Sequence, residues 1–210
     1  VAGHPVHISV LLRSVCVAEY TPSLFQCFTQ YEVRSAEVRS RPLSPGTLSV
    51  TLDDIRAARI RLAPLLLPTP LRSYHELDDA VGHSVHVVVK HENFNPTGSF
   101  KVRNGLSFMT ALPDESRARG VVAATRGNHG LGLAYAGRAF GVRTTVCVPV
   151  GNNPDKNAGM RALGARLIEE GRDYDESVLV ADRIVREEGA TLAHSTNNRM
   201  IIAGAGTMSL

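Results

Sequence analysis

From Thr51 onward the apolar positions alternate between short continuous runs and longer stretches spaced by three and four residues. Thr51 with Asp54 three residues on, and Ile55, Ala58 and Leu62 on one face, predicts a helix capped by Thr51 and ended by Pro64. The β-branched run at residues 85–90 predicts a buried parallel strand. A helix carrying Leu106 and Met109 on an apolar face then breaks near Leu112-Pro113-Asp114. Beyond it the pattern predicts strands at 121–125, 144–148, 166–169 and 191–194, and helices at 130–140, 154–163 and 173–188. Gly141 and Gly164 close two of these helices, Pro154 opens one, and Val178, Ala181 and Val185 share a face of the last. This alternation predicts an α/β fold, with parallel sheets flanked by helices and right-handed crossovers.

Residues 1–46 break the rhythm. Val6 to Leu12 is apolar, but Arg13 interrupts the run and no basic stretch precedes it, which gives little support to a secretory signal. Two prolines and a glycine in Arg41-Pro42-Leu43-Ser44-Pro45-Gly46 predict a linker, and 1–46 is expected to be an unassigned, poorly ordered extension. The chain begins with valine, as a fragment or a mis-assigned start would.

Composition narrows the class. With 43% hydrophobic and 20% charged residues the 210-residue chain is neither disordered nor fibrous, and no uninterrupted apolar stretch spans a bilayer. The net charge of +3 comes from basic residues scattered among 20 acids, which argues against a nucleic-acid partner. Cys16, Cys27 and Cys147 make an odd count without CxxC spacing, so a disulfide framework is not expected and a reducing cytoplasm fits. Cys147, inside an apolar strand, is expected to be a buried hydrophobe. His83, His86 and His91 lack the spacing and the cysteines of a zinc site, since 83 and 86 face opposite sides of an extended strand. Gly204-Ala205-Gly206-Thr207 has a dinucleotide-like spelling without the ribose-binding acid that such a site needs.

Lysine is scarce: only Lys90, Lys101 and Lys156 stand among 23 basic residues. Lys101 lies in Asn95-Pro96-Thr97-Gly98-Ser99-Phe100-Lys101, a turn after the strand, with Ser99 placed to cap a helix whose first turn carries the amine. The positive end of a helix dipole disfavours the charged ammonium and favours the nucleophilic amine, which can condense with an aldehyde. The second motif, Ala124-Thr125-Arg126-Gly127-Asn128-His129-Gly130, runs from a strand end into a helix start and leaves backbone N–H groups aimed outward as an anion site.

In this order and spacing the two motifs resemble those of the threonine/serine dehydratase family, pyridoxal-phosphate (PLP) enzymes of the tryptophan-synthase-β-like fold, over residues from about 52 to 207. The resemblance implies that Lys101 forms the Schiff base with PLP, that Phe100 packs beside the cofactor, and that Asn128 hydrogen-bonds its phenolic oxygen. It further implies that Thr125, Gly127, Asn128 and His129 seat the carboxylate of a small amino-acid substrate. Arg126 stands where the family commonly has a small residue, either contacting an acidic substrate or turning to solvent. Arg103 matches the family's basic residue after the lysine, for which a structural salt bridge is one reading and chemistry another.

The implied activity is β-elimination from a hydroxy amino acid, L-threonine to 2-oxobutanoate and ammonia or L-serine to pyruvate. Serine racemase, 3-hydroxyaspartate dehydratase and a non-catalytic PLP-fold fragment are the alternatives. Full-length members are expected to be homo-oligomers. The family pattern also divides the chain into the first part of a large domain at 47–95, a complete small α/β domain at 96–194, and the start of the returning large domain at 195–210. With that large domain incomplete, little activity is expected from these residues alone.

Overall fold

The computed structural model describes residues 50–82 and 85–210; the predicted extension and linker, Cys16, Cys27 and His83 lie outside them. Helix α1 (Leu52–Leu62) opens on a capping box: the Thr51 hydroxyl accepts from the Asp54 N–H, and the Asp54 carboxylate accepts from the Thr51 N–H. Ala58 and Leu62 face the core.

The predicted buried parallel strand at 85–90 is corrected. Strand β2 (Val88–Lys90) pairs antiparallel with β1 (Leu71–Ser73), placing Arg72 opposite Val89, and Val88 is 47% exposed. A run of β-branched residues selects extended backbone, whereas the neighbouring strand and the cover on each face are set by distant residues. Between the two strands lies α2 (His75–Val81), which no sequence signal marked.

Helix α3 (Lys101–Thr110) is buried on nearly every side, from Val102 through Met109, instead of showing one apolar face. Ser99 does not occupy its cap position; Phe100 does, while the Ser99 hydroxyl accepts from the Lys101 N–H at 3.4 Å. The short helix α4 (Asp114–Arg119) follows, then β3 (Val121–Ala124), α5 (Asn128–Phe140), β4 (Thr144–Val148), α6 (Pro154–Ala162), β5 (Arg166–Glu169), α7 (Tyr174–Glu188), β6 (Thr191–Leu192) and α8 (Arg199–Gly206).

The sheet is parallel, in the order β5-β4-β3-β6. Alternate residues of its central strands feed two cores: Val121, Ala123, Val146 and Val148 meet α3, α5 and α6, while Val122, Ala124 and Cys147 meet α7. Cys147 is thus fully buried, and burial followed by the Glu170 charge pushes its thiol up to about 11. The chain runs outward from β3 through β4 to β5, then returns to place β6 on the other side of β3. The carboxyl ends of β3 and β6 therefore lie side by side at the edge of the sheet where crevices of open α/β folds form.

Three glycines set how closely the helices meet. A Cβ on Gly132 of α5 would lie 2.3 Å from the Lys101 carbonyl oxygen, and one on Gly105 of α3 would lie 2.3 Å from that of Gly132. A Cβ on Gly204 of α8 would fall 2.5 Å from the Arg103 carbonyl oxygen. The Gly204-Ala205-Gly206 stretch is accordingly a packing surface within a helix. Among the described residues no helix is long and apolar enough to cross a membrane, and no cluster of three or more His, Cys, Asp or Glu side chains could hold a metal ion.

Candidate active site

Lys101 is the first residue of α3, and its half-buried Nζ lies 5.0 Å from the centroid of the Phe100 ring. Burial lowers the pKa of this amine below the ordinary lysine value. The segment leading to it is anchored by a buried network. Arg103 donates from Nε to Glu92 Oε2 at 2.7 Å and from Nη2 to Oε1 at 3.0 Å. Thr69 donates to Glu92 Oε1 at 2.6 Å, and Asn95 donates to Oε2 at 2.7 Å. Burial would raise the Glu92 pKa, but these hydrogen bonds outweigh it and the net shift is downward. Arg103 also reaches the Thr207 hydroxyl at 3.4 Å, so it takes the salt-bridge role. Its partner Glu92 carried no signal of its own in the sequence. Nearby, the buried Thr97 hydroxyl has no hydrogen-bond partner.

The second motif runs from the end of β3 into α5. Thr125 is buried; its N–H joins the strand ladder at Cys147 O, and its hydroxyl accepts from the Gly127 N–H at 3.0 Å, which folds the loop. Gly127 sits at the cap position of α5 and no side chain caps that helix, so first-turn N–H groups face outward for an anion. Gly130 is required beneath them, because a Cβ there would meet Met160 Sδ at 2.4 Å and Thr125 Cγ2 at 2.6 Å. Arg126 is exposed.

His129 is buried, and its Nε2 lies 2.9 Å from Ala193 O, in the segment after β6. A carbonyl oxygen only accepts, so Nε2 carries the hydrogen and Nδ1 is bare; Nδ1 is also buried without a partner. Burial first, against the Ala193 hydrogen bond and with the Lys101 and His194 charges assisting, lowers its pKa to about 4. Because Gly132 of α5 packs against the Lys101 carbonyl at the start of α3, the two motifs, separate in sequence, share one locality. The Asn128 side chain is half-buried and its Oδ1 accepts from Lys156 Nζ at 2.8 Å, a contact the spacing of the motifs did not disclose. The remaining lysine, Lys90, donates to Thr69 O.

Known proteins resemble this chain in sequence and in fold. An L-threonine ammonia-lyase from Thermotoga maritima is 38% identical over 161 residues, covering 77% of this chain and 40% of its own. A catabolic L-threonine dehydratase from Staphylococcus aureus is 31% identical, with 77% and 46% covered. The solved structure of maize serine racemase superposes with a TM-score of 0.72 at 31% identity, covering 76% of this chain and 48% of that one. The chain therefore spans less than half the length of these relatives. Residues 62–210 match the family described as pyridoxal-phosphate dependent enzymes, and with its α/β sheet, half-buried lysine and uncapped helix start the chain belongs to that family.

Proposed function

We propose that this chain supplies the Schiff-base lysine and the carboxylate-binding loop of a PLP-dependent ammonia-lyase acting on L-threonine, with L-serine as a second substrate. The observation that carries the reading is Lys101: a half-buried amine of lowered pKa, beside an aromatic ring and sharing a locality with the uncapped start of α5. The ammonia-lyase and dehydratase names of the relatives support the choice of substrate.

The residues fit the cofactor. An aldehyde needs an uncharged amine, which Lys101 provides more readily than an exposed lysine would. A phenolic oxygen needs a donor, and the Nδ2 of Asn128 remains available once Oδ1 is engaged by Lys156. Bound there, PLP supplies an electron sink for the bond broken at the substrate's α-carbon.

Each residue then has a task. With PLP bound, Lys101 Nζ would hold the aldehyde group, and as a free amine it would serve as the base for the substrate's α-proton. Phe100 packs beside the ring. The first-turn N–H groups of α5, from Asn128 and His129, receive the substrate carboxylate, while the Gly127 N–H is held by the Thr125 hydroxyl, which keeps the loop folded. The imidazole of His129 does not donate to that carboxylate, since its one N–H is spent on Ala193 O. Departure of the β-hydroxyl with a proton as water, followed by hydrolysis with a second water, would give 2-oxobutanoate and ammonia.

Racemisation is the second reading, favoured by the superposition on maize serine racemase. Both reactions begin with proton removal at the α-carbon and differ in whether the β-hydroxyl leaves. The test is borohydride reduction of the PLP-treated chain followed by peptide mapping, with 2-oxo acid release and loss of optical activity measured on L-threonine and L-serine. A reduced adduct on Lys101 that disappears in Lys101→Ala is the expected result. An adduct on Lys90 or Lys156 overturns the assignment, and racemisation without 2-oxo acid selects the second reading.

A further inference from the structure

We propose that Lys156 is a positioning residue for the cofactor site: its ammonium holds the Asn128 side-chain amide by the oxygen, so that only the N–H2 end is free to meet a ligand. This rests on the reading that Asn128 faces the phenolic oxygen of PLP.

An ammonium has three donors and no acceptor, so the group 2.8 Å from Lys156 Nζ must be the amide oxygen. Turning the amide over would set N–H2 against N–H3+ and break the one hydrogen bond that, among the described residues, fixes its sense. In that orientation Nδ2 can only donate, as an anionic phenolic oxygen requires.

The arrangement is built by two helices. Lys156 lies in the first turn of α6, where its own N–H donates to the Asn153 side chain at 3.1 Å. Its stem runs past Gly127, with Cγ 3.8 Å and Cδ 4.0 Å from where a Cβ would stand. Helix α6 is locked against α5 by Met160 beneath Gly130 and by Gly159 against Leu131.

Charge adds to orientation. None of the ion pairs among the described residues includes Lys156, so its charge is not neutralised there by a carboxylate. A positive group on the oxygen polarises the amide and strengthens its N–H donors. The same charge adds to the positive end of α5, where the carboxylate is proposed to bind.

The experiment has two arms on chains whose melting confirms that they fold. In the first, asparagine-selective 15N labelling follows the Asn128 side-chain N–H2 signals, identified by their loss in Asn128→Gln. Lys156→Met is expected to shift these signals and Lys156→Arg to keep them near their original positions; signals unmoved in Lys156→Met overturn the proposal.

In the second, PLP is titrated by the absorbance of its Lys101 adduct. Lys156→Met is expected to weaken binding about tenfold, and Lys156→Arg to restore most of it. Lys156→Met on top of Asn128→Ala should add nothing. Fully additive losses would show that the two residues act apart and would overturn the positioning role. A borohydride-reduced adduct absent from Lys101 instead overturns the site reading and with it the role of Lys156 toward the cofactor, while the labelled amide still reports the pairing itself.

Discussion

His129 enters the folded state neutral and stays so down to about pH 4, whereas the unfolded chain protonates it near its ordinary value of 6.5. Between those values the unfolded state binds a proton that the native state refuses, so stability falls as pH drops from about 6.5 to about 4. Denaturant midpoints followed across that window should fall less steeply in His129→Asn, and an identical slope would show that the imidazole is not held neutral. Asn128→Ala removes one donor to the proposed cofactor, a loss of about 0.5–1.5 kcal/mol. It should weaken PLP retention and move the absorbance of the adduct, whereas an unchanged spectrum would leave the asparagine as a turn residue. At this scale the motifs marked Lys101, Phe100, Thr125 and Asn128 as candidates, because their residue types carry the proposed chemistry. They did not disclose that the His129 ring is committed to Ala193 O, since that partner lies 64 residues away.

Among the elements, α3 and α5 place the lysine and the anion-binding loop together, and they do so by backbone contact. Gly132→Ala would put a methyl group 2.3 Å from the Lys101 carbonyl oxygen, which cannot yield without moving the helix start. Overpacking of this kind costs about 1–3 kcal/mol, and it should reduce borohydride trapping at Lys101 along with the denaturant midpoint. A substitution that lowers the midpoint but leaves trapping intact would separate stability from positioning. Helices α5, α6 and α7 were legible from their caps and spacing, and β4 and β5 from their apolar runs. Helix α8 was not, because its Gly and Ala residues have little periodic contrast and act by allowing close approach to α3. The β1–β2 pair failed for a related reason: three residues of Val and Lys carry no information about which strand lies beside them.

Across the whole molecule, distant segments are joined by polar contacts as well as by the core. The network of Thr69, Glu92, Asn95, Arg103 and Thr207 ties the stretch before β1 and the end of α8 to α3. Glu92→Ala would leave the Arg103 guanidinium buried without its partner, at a cost of about 3–5 kcal/mol, measurable by denaturant unfolding. The carboxyl of Glu92 is held below its ordinary 4.5, so this contribution is present above that pH and is lost as pH falls through the lower folded value. A stability curve that matches the parent at acid pH but separates above pH 5 is the expected signature of Glu92→Gln. Asp54 behaves alike: hydrogen bonds first from Arg199 and then from Thr51 hold it at about 2, linking α1 to the start of α8.

The sequence by itself determined the alternation of strands and helices from Val121 to Leu192, the parallel sheet, and the chemistry offered by Lys101 and the loop after β3, because these depend on local spacing and residue type. Only the tertiary structure decided the antiparallel partner of β2, the bidentate hold of Glu92 on Arg103, the bare nitrogen of His129 and the lysine behind Asn128. Each of these is a pairing between groups brought together by packing, and a one-dimensional pattern records a residue's character without recording its neighbours.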